Sequence, residues 1–379
     1  MEIEEPGSYT EYIDLNDVRK KIDEVSQSRH KESHVLLIVS SSDLKEDAFS
    51  DESDYDDLDL DSFNYYDIKI HSISKRVQTQ MIRENTIFNY PKNDNNWKGE
   101  FLWNLSLGIF SKLGGIPWKL KNLLSGVSAF IGLNTVSSSC SSVVERKGVV
   151  ALEIINNWGE PITRLLNREA RVEKEKEERA IAIDPSEVSS MFESALHTIE
   201  KSVGDFRYTK ENDFVIVHVK DRYAKKVYEE IAETIASRGF KRFKIIHIQE
   251  YGGLRLYDPN EKPNYAWPQE GSYWYLEKGK IAFLYTIGTW RYSFQSGKKP
   301  YVIGARDLSP LQVNFVKGSE GSELTKDDLW HIYCLTRMHY YTIDLPRIKL
   351  PSTIRLGQRA AKLAARGLEK NDFDVSFLY

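Results

Sequence analysis

Blocks of apolar and polar positions along this chain read as alternating helices and strands. Residues 16–30 (NDVRKKIDEVSQSRH) predict a short helix. HVLLIVS, residues 34–40, is a near-continuous apolar run that suits a buried strand of a parallel sheet. FNYYDIKIHSISKR (63–76) predicts a helix, MIRENTI (81–87) a strand end, and WKGEFLWNLSLGIFSKL (97–113) a further helix. A strand–helix–strand–helix order predicts a small α/β domain with a parallel sheet, ending close to SKLGGIPW at 111–118.

VSAFIGLNTV (127–136) and VVALEII (149–155) then predict the first strands of a second domain. The charged stretch 160–203 follows, and Pro185 behind Asp184 predicts its division into two helices. NDFVIVHV (212–219) predicts a buried strand, 222–240 an amphipathic helix capped by Gly239, and KRFKIIHI (241–248) another strand. Residues 270–317 alternate aromatic and polar positions around glycine turns, as antiparallel strands do. Helices are predicted again over 324–340 and 353–369, and no internal repeat is visible.

Composition narrows the class. With 379 residues, 41% of them hydrophobic, the chain can bury two ordinary cores. A formal net charge of −4 excludes a whole-molecule basic field, so any polyanion site must be a local patch. Cys140 and Cys334 lie far apart, against a structural zinc site or disulfide framework and in keeping with a reducing compartment. The acidic start MEIEEPGSYTEY lacks the apolar core of a signal peptide, and no run approaches the ~18 apolar residues of a membrane span. A soluble, cytoplasmic, two-domain protein without membrane insertion is expected. Residues 46–61 hold nine carboxylates among sixteen positions and predict a solvated loop; the central glycine of a regular metal loop is missing.

Candidate chemistry is cationic. Arg355, Arg359, Lys362 and Arg366 fall at spacings of 4, 3 and 4, which lines four cations along one helix face. A solvated helix face is one reading; an acid-poor cationic stripe in a net-acidic protein also suits a phosphate track. Tyr65 and Lys69 share a helix face, either as an ordinary surface pair or as a phosphate clamp. Lys112 precedes Gly114 and Gly115, which permit a tight turn and close backbone approach, though a helix ending in two glycines also reads as a plain cap. Nucleophile-elbow, zincin and P-loop motifs are absent.

SKLGGIPW resembles the segment at the MID–PIWI junction of Argonaute proteins, where a lysine before G-G-x-P-W helps to bind the guide 5′ phosphate. IGLN resembles the first PIWI strand. EGSYWYLEKGKIAFLYTIGTW with GARDLSPLQV resembles the late PIWI strands, and LTRMHYYTIDLPRIKLPSTIRLGQRAAKLA the final helical region. The likeness runs from about residue 63 to the end, and the length leaves no room for N-terminal and PAZ domains. It therefore points to the short prokaryotic Argonautes, archaeal ones in particular.

The resemblance implies an α/β fold: a Rossmann-like MID domain over 1–115, with an acidic insertion at 46–61, then a ribonuclease H-like PIWI domain over 116–379. It implies a 5′-phosphate pocket of Tyr65, Lys69, Gln80, Lys112 and the carboxylate of Tyr379, the last holding Mg2+ or another divalent cation together with the guide phosphates. Arg355, Arg359, Lys362 and Arg366 would follow the guide backbone. The nuclease carboxylate/His positions read Asn134, Lys220 and Gln358, which implies a nuclease-dead protein, since amides and a lysine are poor ligands for a hard cation. The implied partners are a guide RNA, a target DNA, a protein replacing the missing N-terminal/PAZ lobe, and a separate effector in antiviral or antiplasmid defence. Alternatives are an active guided nuclease using Asp221 and nearby glutamates, or a protein-only scaffold. Segments 46–61 and 164–203 are either docking surfaces or solvated surface.

Overall fold

The computed structural model describes residues 15–27, 35–40, 62–83, 95–120, 126–137, 147–175, 180–201, 214–253, 256, 268–287, 309–338 and 348–368. The acidic segment 46–61 and Tyr379 lie outside them. The chain divides into two compact units between Phe101 and Leu102.

In the first unit, helix α1 (Leu15–Gln27) and helix α2 (Ser62–Lys75) pack together beside strands β1 (Val35–Ser40) and β2 (Gln78–Arg83). The strands are parallel, Val35 facing Gln78 and Ser40 facing Arg83, as the apolar run at 34–40 predicts. Ile22, Ile68, Val77 and Met81 form the core, with Val18, Val25, Leu36 and Ile38 around it. Asp23 of α1 takes Lys75 at 3.1 Å and His71 at 2.9 Å from α2. The hydrogen bond from Lys75 is the main reason its carboxyl is held below the usual range.

Helix α3 (Asn95–Lys112) crosses the division between the units. The described residues of the second unit form nine strands: β3 (Ala129–Ser137), β4 (Lys147–Asn156), β5 (Pro161–Glu175), β6 (Ala180–Ile183), β7 (Phe214–Val219), β8 (Arg242–Glu250), β9 (Tyr273–Glu277), β10 (Ile281–Leu284) and β11 (Leu311–Gly318). Their spatial order is β6-β5-β4-β3-β7-β8-β11-β10-β9. β3, β7 and β8 are mutually parallel and the other pairings antiparallel. Helices α4 (Pro185–Lys201) and α5 (Lys225–Ser237) bury Phe192, Leu196, Val227 and Ile231 with Ile131, Leu133, Val217 and Val219 on one face. On the other face, helix α6 (Lys326–Leu335) packs Leu329, Ile332 and Leu335 against Phe130, Ile216 and Ile246. Helix α7 (Ser352–Ala365) lies on β3 and β4. Strands covered on both faces need apolar side chains in both directions, hence the mostly apolar runs at β3 and β7.

One expectation fails. Within the charged stretch, Pro161–Glu175 and Ala180–Ile183 are strands β5 and β6 rather than helix, and α4 starts at Pro185. The reason is Arg164, fully buried where strand alternation calls for an apolar side chain, and paired across the strands with Glu153 of β4. A buried cation in the inward position hides the two-residue period. The expected start of α4 holds: Asp184 Oδ1 accepts from the N–H of Ser186 at 2.9 Å, with proline at the first helical position.

Candidate nucleic-acid interface

The GG turn behind Lys112 is a complete helix C-cap. Gly114 N–H donates to Ser111 O at 3.0 Å and Gly115 N–H to Phe110 O at 2.9 Å, the paired bonds of a Schellman motif. Gly114 sits at φ +84°, where a side chain would strain the backbone. The cap fixes the direction in which the chain leaves Lys112, whose side chain is only 4% exposed. Six residues on, Trp118 Nε1 donates to Arg337 O at 3.1 Å. Arg337 itself is bound by Glu270, donates to Thr286 O at 2.7 Å and lies over the Tyr333 ring. Lys119 pairs with Glu160 at 2.5 Å. The IPWK segment is thus anchored at both its aromatic and its basic residue.

Of the other expected phosphate ligands, Lys69 is buried in the first unit and donates from Nζ to Thr79 O at 2.9 Å, tying α2 to β2. Gln80 is half-buried on β2 and donates to Met81 O at 3.1 Å. Tyr65 stands one turn before Lys69 in α2. Lys112 belongs to the second unit. Among the described residues no group of three or more His, Cys, Asp or Glu side chains converges as a metal site. The carboxylate expected at the phosphate pocket, that of Tyr379, falls outside them.

On α7, Ile354, Leu356, Gly357, Ala360, Ala361, Leu363 and Ala364 are buried, while Arg355, Arg359 and Lys362 occupy the half-exposed side and Arg366 caps the helix. The spacing seen in the sequence therefore does make one face, and the small residues let the helix sit close on the sheet. Its seat is Gly132 of β3, which lies against the Thr353 backbone.

The carboxyl ends of β3 and β7 carry the residues expected in place of nuclease carboxylates. Asn134 is fully buried; its Nδ2 donates to Thr353 O at 3.2 Å. Gly357, one residue before Gln358, abuts the same amide. Leu133 faces Val219 across the parallel pair, so Lys220 follows beside Asn134. Asp221 is turned elsewhere. Its Oδ2 accepts from Thr135 Oγ1 at 2.7 Å, and Thr135 points to the face opposite Asn134 by strand alternation.

Sequence reasoning missed a buried polar row beneath α7. Glu153, Gly132 and His218 are cross-strand neighbours on β4, β3 and β7. Arg164 binds Glu153 at 2.6 and 2.7 Å with both side chains fully buried. His218 Nδ1 bonds Thr353 Oγ1 at 3.0 Å, and the Phe130 ring lies between His218 and His331, at 5.7 and 5.5 Å. The available signal was a carboxylate inside VVALEII and an imidazole inside NDFVIVHV, each in an otherwise apolar strand. Burial pushes the Glu153 carboxyl up to about 7 against the opposing pull of Arg164. Burial pushes His218 down to about 3, with His331 adding to the effect.

These two groups have opposite linkage. The stability from neutral His218 is present above its unfolded value of 6.5 and lost as pH falls towards about 3. The stability from protonated Glu153 is present below 4.5 and lost as pH rises through about 7. Between pH 4.5 and 6.5 they cancel. Relative to wild type, His218→Asn is expected to gain stability on acidification through that window and Glu153→Gln to lose it. The slopes should approach ~1.4 kcal/mol per pH unit in urea titrations. Flat difference profiles for both variants would refute the assignment.

No protein-family model and no curated protein matches the sequence. Solved structures match in fold. The Argonaute of Clostridium butyricum, bound to a guide DNA (5′ deoxycytidine) and a 19-mer target DNA, aligns with TM-score 0.65 at 17% identity, over 97% of this chain and 42% of its own. The fold is that of an Argonaute MID–PIWI lobe. An A. aeolicus Argonaute aligns at TM-score 0.59 and 20% identity, over 96% and 42% of the two chains. The Argonaute from Methanocaldococcus jannaschii gives 0.55 and 14%, over 96% and 44%. The chain thus spans less than half the length of these structures. The ribonuclease H-like sheet and α/β class expected from the sequence are borne out, and among the described residues no helix is long and apolar enough to cross a membrane.

Proposed function

We propose that this chain is a nuclease-inactive, guide-binding Argonaute of the short type. It holds a 5′-phosphorylated small RNA, pairs it with complementary invader DNA and signals to a partner effector in antiviral or antiplasmid defence. The observation that carries this reading is the Argonaute fold combined with the polar set at its strand ends: Asn134 is committed to α7, Lys220 stands beside it, and Asp221 is held by Thr135 on the other face. None of these arrangements suits two hard cations. Base pairing supplies sequence recognition while the protein reads backbone and guide end, the division of labour of guided systems. Lys69, Lys112, Tyr65 and Gln80 are the phosphate-end residues; Arg355, Arg359, Lys362 and Arg366 are the backbone contacts.

The test is sequencing of the nucleic acid that co-purifies with the protein, followed by guide-binding measurements. A short 5′-phosphorylated population is expected. Lys69→Ala with Lys112→Ala should reduce affinity for a 5′-phosphorylated guide by roughly 10- to 100-fold, the size of lost charge-assisted hydrogen bonds, and change a 5′-hydroxyl guide far less. Equal binding of both guides would overturn the phosphate assignment. Cleavage of a matched target with Mg2+ or Mn2+ would overturn the inactivity.

A further inference from the structure

Among the described residues, Lys220 is a cation with no counter-ion. Its side chain is half-buried, and it makes no ion pair or side-chain hydrogen bond with any described residue. Its backbone, by contrast, is pinned. Gln249 Nε2 donates to Gln312 Oε1 at 3.0 Å, Gln312 Nε2 to Asn314 Oδ1 at 2.8 Å, and Asn314 Nδ2 to His247 Nδ1 at 3.2 Å. That direction leaves the proton of His247 on Nε2, which donates to Lys220 O at 2.8 Å. Four bonds across β8 and β11 therefore fix where β7 ends and where the Lys220 side chain starts.

The surroundings select the ligand. Alternation along β7 continues His218 to Lys220 on the Asn134 face, about 4.8 Å from Asn134 across the strands. Gln358 is on the helix turn over that amide. The nearest carboxylate in sequence, Asp221, is engaged with Thr135 on the opposite face. An ammonium on a pinned backbone beside the Asn134 strand position, at the carboxyl ends of parallel strands where α/β sheets bind ligands, suits an anion.

We propose that Lys220 is a phosphate-binding residue, contacting the backbone of nucleic acid that lies across the ends of β3 and β7. The inference rests on the guide-binding function above. It assigns the strand ends a binding role in which a side-chain cation meets the phosphate directly.

The test is target capture by guide-loaded protein, titrated with complementary DNA over roughly 50–300 mM salt, the range in which counterion release dominates. Lys220→Ala should load guide normally, weaken every complementary target about five- to tenfold, and lower the slope of log K against log salt by about one. Lys220→Arg should restore both. Lys225→Ala, which removes an exposed cation paired with Glu229 on α5, serves as a control expected to leave the slope unchanged. Normal guide loading with an unaltered affinity and slope in Lys220→Ala would overturn the proposal and leave the guide-binding function intact. Failure of the wild-type protein to take guide would overturn both.

Discussion

Replacing Gly132 by alanine is expected to destabilise the second unit by about 3–5 kcal/mol, a large share of a typical domain's ~5–15 kcal/mol. A Cβ at this position would sit 2.0 Å from Thr353 O and 2.6 Å from Thr353 C. Both are backbone atoms in the first turn of α7, so no rotamer change relieves the overlap. Either β3 or the helix must move. Moving the helix stretches two buried hydrogen bonds that end on the same residue, from Asn134 to Thr353 O and between His218 and Thr353 Oγ1. Two comparisons make the expectation specific. Gly357→Ala meets the Asn134 amide at 2.1 Å, a side chain that can yield, and should cost less. Gly239→Ala has open space but φ +88°, and should cost only the backbone strain of ~1 kcal/mol. Urea unfolding of the three variants gives the ranking. A Gly132→Ala protein no less stable than Gly239→Ala would mean that α7 is not seated as described. Because α7 carries Arg355, Arg359 and Lys362, Gly132→Ala should also weaken guide retention although it touches no phosphate.

The same residues show what a sequence can and cannot tell. The strands β1, β3, β7 and β8 were readable as mostly apolar runs, and for β3, β7 and β8 cover on both faces is the reason. The cationic face of α7 was readable too, since 4-3-4 spacing and a helix geometry fix a common side. β5 and β6 were not, because Arg164 occupies an inward position that only its partner Glu153, eleven residues away across a strand pair, makes tolerable. Lys220 and Asp221 are adjacent in sequence and cannot be ranked there. The register of β3 with β7 separates them, one beside Asn134 and the other bonded to Thr135. Pairings between distant segments decided each feature that local pattern left unread.

Introducing a carboxylate by Asn134→Asp is expected to destabilise the protein by about 2–4 kcal/mol near pH 8 and to confer no cleavage. Asn134 is fully buried and its amide donates 3.2 Å to Thr353 O. An ionised aspartate has no proton to give, so two oxygens would face each other without water between them. Burial then raises the carboxyl pKa. Below that raised value the protonated acid can donate to Thr353 O as the amide does. The penalty should therefore be greatest at alkaline pH and shrink on acidification, the opposite of an exposed aspartate, which would be indifferent. Denaturant unfolding at two pH values measures this, with Asn134→Ala as reference for the lost bond without the charge. An Asn134→Asp protein as stable as wild type near pH 8 would show the site to be solvated and ready for a cation. The expected outcome makes Asn134 part of the seat of α7: the amide holds the cationic helix on the sheet, so a carboxylate cannot replace it without loosening that helix.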